Sequence, residues 1–262
     1  MNPEKKARRE AVIGICTAVV VIIIVAVIIV LVNKNSRSEV EETESTVQTT
    51  EETTTEETTT EETTTEAAVE IPIDFEALWE QNPDIYAWIY IEDTPVDYPI
   101  LQSDEDDPDY YLEHTVDYVE GLPGSIFTES NYNGTDMTDN VTIIYGHNMR
   151  NDTMFGSLNE YQDSEYREEH SEIIIYTPEN IFTYEIIFTV TYNNHRIPYY
   201  FDIDTEEGYA AFWESVTTEY YSPTWISDEY EFSTDDKMIV LSTCNGNSSQ
   251  RYLVGAVLVS VQ

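Results

Sequence analysis

Between Glu70 and Gln262 the chain alternates short apolar runs with polar turns. Eight runs rich in β-branched and aromatic residues predict strands over Ile85–Ile91, Val96–Leu101, Gly124–Phe127, Val141–Tyr145, Glu172–Thr177, Phe182–Tyr192, Lys237–Thr243 and Tyr252–Val261. Helical periodicity is rarer. It predicts a helix over Asp74–Gln81, with Asp74 as the cap ahead of Phe75, Leu78 and Trp79, and others over Met154–Tyr161 and Glu206–Tyr220. In the last of these Tyr209, Phe212, Trp213 and Val216 fall at helical spacing. Many short strands without alternating helices argue against a parallel α/β sheet and for one mainly β domain, a barrel with peripheral helices.

The first 69 residues follow other patterns. Ala11 to Val32 form 22 consecutive residues without a charge, about 33 Å of helix at roughly 1.5 Å per residue, which matches a hydrocarbon core of about 30 Å. The run predicts a transmembrane anchor over residues 11–32. Lys5, Lys6, Arg8 and Arg9 outnumber Lys34 and Arg37 on the other flank, so residues 1–10 are expected in the cytoplasm. A cleavable signal peptide is the rival reading, against which stand the length of the run and the lack of a small-x-small site after it. Residues 33–69 contain 11 Glu, 13 Thr and no aromatic residue, with Glu-Glu-Thr-Thr-Thr repeating from Glu51, Glu56 and Glu61. Such a segment cannot bury a core and predicts a charged, disordered linker. The folded domain is then 70–262.

The whole chain of 262 residues carries 11 basic and 52 acidic residues, a formal charge of −41. So negative a surface repels phosphate backbones and argues against nucleic-acid binding. Cys16 and Cys244 lie far apart in unlike sequence, so neither a disulfide framework nor a cysteine-based zinc site is available.

Cys244 is the cysteine of the folded part, placed where an apolar strand runs out into Asn245-Gly246-Asn247. An isolated cysteine is most often a buried small hydrophobe, but these polar neighbours point to an exposed strand end, a rigid place for a nucleophile. A thiol at its reference pKa of about 8.5 needs a basic or cationic partner to act near neutrality. His114, His170 and His195 read as solvated or loop residues. His147 ends the run Val141-Thr-Ile-Ile-Tyr-Gly-His and so mirrors the placement of Cys244, with Gly146 beside it allowing close approach of a neighbouring chain. Arg251, one of 5 basic residues against 39 acidic ones after residue 69, stands seven residues after Cys244, so a hairpin would return it to the thiol. Its bland reading is a salt bridge; its chemical one is a fixed cation for an oxyanion.

Tyr145-Gly-His-Asn-Met149 with Met154-Phe-Gly-Ser-Leu158, and Leu241-Ser-Thr-Cys244 followed by Arg251, resemble the signature of the class B sortases. Asn82-Pro-Asp-Ile-Tyr-Ala-Trp, Tyr98-Pro-Ile-Leu-Gln, Tyr110-Tyr-Leu and Gly124-Ser-Ile-Phe resemble the N-terminal region of that class, in the same order. The resemblance implies an eight-stranded barrel and a membrane-anchored cysteine transpeptidase with its catalytic domain outside a Gram-positive cell. It implies Cys244 as nucleophile on a threonine carbonyl within a C-terminal sorting motif of secreted proteins, His147 as acid and then base, and Arg251 at the oxyanion. The acceptor would be an amine of a peptidoglycan precursor or of a pilin, with no metal or organic cofactor. Asn245, through its N–H, is the expected second oxyanion donor, and Asn148, Ser242 and Thr243 are expected walls of the substrate site. Two other functions are weighed against this one: a thiol peptidase that only hydrolyses, and a non-catalytic acidic surface scaffold. The acidic run Asp104–Asp109 lacks the glycine and spacing of an EF-hand loop and reads as a solvated loop.

Overall fold

A computed structural model of the chain describes residues 69–103 and 107–262. The anchor expected at 11–32, nearly all of the linker expected at 33–69 and residues 104–106 of the acidic run lie outside the described residues. Helix α1 (Phe75–Gln81) leads into β1 (Ile85–Tyr90), β2 (Asp97–Leu101), β3 (Ile126–Phe127) and β4 (Val141–Tyr145). Then come α2 (Ser164–Glu169), β5 (Glu172–Tyr176), β6 (Ile181–Asn193), α3 (Ile197–Tyr200), α4 (Glu206–Thr218), β7 (Tyr221–Ile226), β8 (Met238–Cys244) and β9 (Gln250–Val261). Asp74 caps α1 as expected, its carboxylate accepting from the Ala77 N–H at 3.0 Å.

Eight strands close on themselves in the order β5-β1-β2-β3-β4-β8-β9-β6, with β6 pairing back onto β5. Closure leaves no free edge along the circuit and gives the chain a two-sided use of its side chains. One face of the sheet holds Ile89, Ile100, Ile144, Phe155, Leu241 and Val254 in the barrel interior. The opposite face of β4, β6, β8 and β9 packs Ile143, Phe188, Val190 and Val240 under α4, which contributes Tyr209, Phe212 and Val216. The helical spacing seen in the sequence is thus the face that α4 buries.

β7 was not foreseen. It pairs with Phe188–Thr191 of β6, beyond the half of β6 that β5 occupies, and its first three residues are exposed. Pro223 within it cannot donate to a ladder, which restricts such a segment to an edge and masks it in a strand pattern. The helix expected over Met154–Tyr161 is instead a 3-10 segment, Gly156–Gln162, because the chain first makes a tight reversal in which Asp152 and Met154 adopt positive φ. No helix among the described residues is long and apolar enough to cross a membrane.

Candidate active site

Two strand ends meet at one rim of the barrel. β4 and β8 run parallel, in register from Val141 opposite Met238 to Tyr145 opposite Ser242. The pairing continues past β4: the Gly146 N–H donates to the Ser242 carbonyl at 3.2 Å, and Thr243 Oγ1 donates to the Gly146 carbonyl at 2.8 Å. Two residues beyond the last paired position on each strand stand His147 and Cys244, which the parallel register therefore brings level. β9 returns antiparallel to β8, with Arg251 directly opposite Cys244. Opposed residues of such a pair share a face with Cβ atoms about 4.5–5.5 Å apart.

Local packing explains why the histidine segment reads as it does. A Cβ on Gly146 would lie 2.5 Å from Ile126 Cδ1 and 2.6 Å from Phe155 Cδ2, so the close approach this glycine permits is that of two side chains. The Phe155 N–H donates to the His147 carbonyl at 3.0 Å, and a Cβ on Gly156 would collide with the Met149 carbonyl oxygen. Tyr145-Gly-His-Asn-Met and Met-Phe-Gly are thus two sides of one folded loop that holds the imidazole.

Cys244 is exposed, which rules out the buried-hydrophobe reading. With His147, Arg251, Ser242 and Thr243 it lines a cleft of about 190 Å³. His147 Nε2 lies 2.7 Å from the Leu112 carbonyl oxygen. A carbonyl only accepts, so Nε2 carries a proton, and in the neutral ring Nδ1 keeps the free lone pair. Nδ1 is then the atom able to take or give a proton. The Arg251 guanidinium is oriented by its own backbone neighbour, Nη1 donating to the Gln250 carbonyl at 2.8 Å. Among the described residues no carboxylate forms an ion pair with Arg251, so its charge faces the cleft uncompensated.

The other residues expected at the substrate site, the walls Asn148, Ser242 and Thr243 and the oxyanion donor Asn245, separate into three groups. Ser242 and Thr243 line the cleft, although the Thr243 hydroxyl is already committed to Gly146. Asn148 is not a lining residue. Its amide donates to the Cys244 carbonyl while its oxygen accepts from Asn159 at 3.2 Å, so it clamps the cysteine strand end to the histidine loop. Asn245 uses its side chain within its own loop, Nδ2 donating to Gln250 at 3.2 Å and Oδ1 accepting from the Asn247 N–H at 3.0 Å.

Three contributors escaped the sequence reading. Leu112 supplies the histidine anchor, while His195 and Arg196 line the cleft from the segment after β6. His195 is exposed and stacks on Tyr200, with ring centroids 4.3 Å apart. The available signal was topological: β6 runs antiparallel to β9, with Asn193 opposite Gln250 and Tyr192 opposite Arg251, so whatever follows Tyr192 emerges at the same rim. Arg196 also overturns the solvated reading of the acidic run at one position, because its guanidinium pairs with Asp109 at 2.6 Å.

A closed β-barrel presenting an exposed thiol, an imidazole and an unpaired guanidinium at one rim is the framework of a cysteine acyl-transfer enzyme. The sortase domain family model matches residues 89–259. Sortase B of Listeria monocytogenes is 32% identical over 176 residues, 67% of this chain and 69% of that protein. Sortase B of Staphylococcus aureus is 26% identical over 193 residues, 71% and 75% of the two chains. The crystal structure of Clostridium perfringens sortase B superposes with a TM-score of 0.62 at 26% identity, covering 71% of this chain and all of that one. The chain belongs to the sortase family, as a class B member, and is a cysteine transpeptidase.

Proposed function

We propose that this transpeptidase joins secreted proteins to a cell-surface amine and that Cys244, His147 and Arg251 carry the reaction. The observation that carries the reading is the register of three strands, which sets the thiol beside the guanidinium and level with the imidazole. Cys244 gives its thiol proton to His147 as Sγ attacks the carbonyl carbon of a threonine in a C-terminal sorting motif. The resulting oxyanion is met by Arg251 and by the Asn245 N–H, and its collapse expels an amine that takes a proton from His147. This leaves a thioacyl-enzyme. An incoming amine of a peptidoglycan precursor or a pilin, deprotonated by His147, attacks the thioester carbonyl and expels the Cys244 thiolate, which takes the proton back from His147. The apolar run at 11–32 would hold the enzyme in the membrane with residues 1–10 in the cytoplasm and the barrel outside, tethered by residues 33–69. With 39 acidic against 5 basic residues after residue 69, the domain favours substrates with basic flanks and binding that weakens with salt.

The test is to incubate the full-length protein with threonine-containing sorting peptides and a simple amine and to follow intact mass. An acyl adduct that depends on Cys244, is absent in Cys244→Ala and passes to the amine is the expected result. An adduct released only to water would replace transfer by hydrolysis. A Cys244→Ala variant that keeps full function in cells would leave a non-catalytic scaffold.

A further inference from the structure

At the cleft wall lies an ion cluster, buried at Glu129, that the reaction does not use. Arg196, at the start of α3, donates through Nη2 to Asp109 at 2.6 Å and through Nη1 to Glu129. The Glu129 side chain is 1% exposed and Arg196 33% exposed, so one guanidinium neutralises a carboxylate that has almost no access to water. Burial first, and the Asp109 charge with it, push the Glu129 carboxyl above the ordinary glutamate range, with Tyr145 and Arg196 beside it offsetting only part of that. Tyr145, two residues before His147, borders the same cluster and stacks on Phe127, with ring centroids 5.4 Å apart.

The two carboxylates belong to different segments. Glu129 follows β3. Asp109 immediately precedes the 3-10 turn Tyr110–Leu112, and Leu112 is the residue whose carbonyl holds His147 Nε2. That turn is fixed from below by Tyr111, whose hydroxyl donates to Asp84 at 2.6 Å, and from the side by Gly124, where any Cβ would collide with the Leu112 carbonyl oxygen. On its cleft side, Asp109 joins it to Arg196. Arg196 in turn lies between His195 and Ile197, and all three line the cleft. The guanidinium therefore spans from the wall after β6 to the turn that anchors the imidazole.

We propose that Arg196 is a positioning residue, a cross-brace that fixes the Leu112 carbonyl, and through it His147, relative to Cys244. The inference rests on the assignment of His147 as the partner of Cys244. A bidentate guanidinium suits the task because its rigid fork holds two carboxylates in fixed directions, which a single ammonium cannot do. Without the brace the anchor carbonyl and the cleft wall move independently, and small displacements of a catalytic group carry large rate penalties.

The test uses the full-length protein and follows alkylation of Cys244 by iodoacetamide across pH, a readout that needs no sorting peptide. Cys16 is removed by Cys16→Ala in every variant, and His195→Ala controls for the second imidazole of the cleft. Arg196→Met is expected to shift the rate profile at least half of the way toward that of His147→Ala, with Arg196→Lys between it and the parent. Because Arg196→Met strands a buried carboxylate, the double variant Arg196→Met with Glu129→Gln is measured beside it. It removes the stranded charge, restores thermal stability and is expected to keep the shifted profile. A folded Arg196→Met or double variant with the parent profile overturns the proposal. If His147→Ala itself leaves the profile unchanged, it is the pairing of His147 with Cys244 that fails.

Discussion

Gly146→Ala tests how tightly the histidine strand end is built. The added methyl would sit 2.5 Å from Ile126 Cδ1, 2.6 Å from Phe155 Cδ2 and 2.8 Å from Phe155 Cγ. Carbon atoms rest at about 3.5–4.0 Å, so the ring and the isoleucine must each retreat by about 1 Å. Phe155 is fully buried and Ile126 nearly so, in an interior packed like a crystal, and there is no space to retreat into. Overpacking of this kind costs about 1–3 kcal/mol. For a folded part of this size that is roughly 2–12 °C in Tm, at about 2–4 °C per kcal/mol. Thermal unfolding can be followed by tryptophan fluorescence, since all four tryptophans lie after residue 69. Peptide transfer should fall further than the stability loss explains, by up to about a hundredfold, because His147 follows directly and a displacement of about 1 Å suffices. Combining Gly146→Ala with Phe155→Leu, which shortens the obstructing ring, should recover part of both losses. A Tm change below about 1 °C, or a double variant whose losses simply add, would refute the steric reasoning.

Three further outcomes follow from the same geometry. Arg251→Met should lower the transfer rate by about 10²–10³ with little change in KM, as expected for a donor used at the oxyanion, and Arg251→Lys should recover only part of it; a rise in KM alone would make Arg251 a ground-state contact. Asn148→Ala removes the clamp on the Cys244 carbonyl and should cost about 0.5–1.5 kcal/mol in denaturant unfolding together with a slower acylation step; unchanged acylation would confine the clamp to stability. Glu129 has a folded-state pKa raised above its ordinary value of 4.5, so its contribution to stability is present below that pH and is lost as pH rises through the elevated folded value. Glu129→Gln should therefore gain in stability relative to the parent as pH rises through that window, and a pH-independent difference in chemical unfolding would contradict the burial argument.

Much of the site was legible because its signals are local. A strand pattern that ends in a reactive residue marks both His147 and Cys244, and seven residues fit a hairpin that returns Arg251 to the thiol. Apolar runs rich in β-branched and aromatic residues, set between polar turns, delivered the eight strands that close the barrel, and periodicity delivered the buried face of α4. β7 stayed hidden because Pro223 and the polar, exposed edge positions around it break the apolar run by which the other strands are recognised. An amide such as Asn148 reads alike in the sequence whether it faces substrate or braces a carbonyl, as it does here for Cys244.

The sequence by itself determined which residues are candidates for the chemistry, since nucleophile, base and cation are properties of side chains and their strand ends. Which of them stand together was decided only by the tertiary structure. The parallel register of β4 on β8 joins residues about a hundred positions apart, and the ion cluster of Asp109, Glu129 and Arg196 joins three loops that share no local pattern. His195 reads as an ordinary loop residue and Arg196 draws no notice in the sequence until β6 pairs with β9 and carries both to the cysteine's rim. Local patterns encode the elements, but contacts between distant segments follow from closing the barrel, where the burial of both sheet faces and the pairing of every ladder bond select one register out of many.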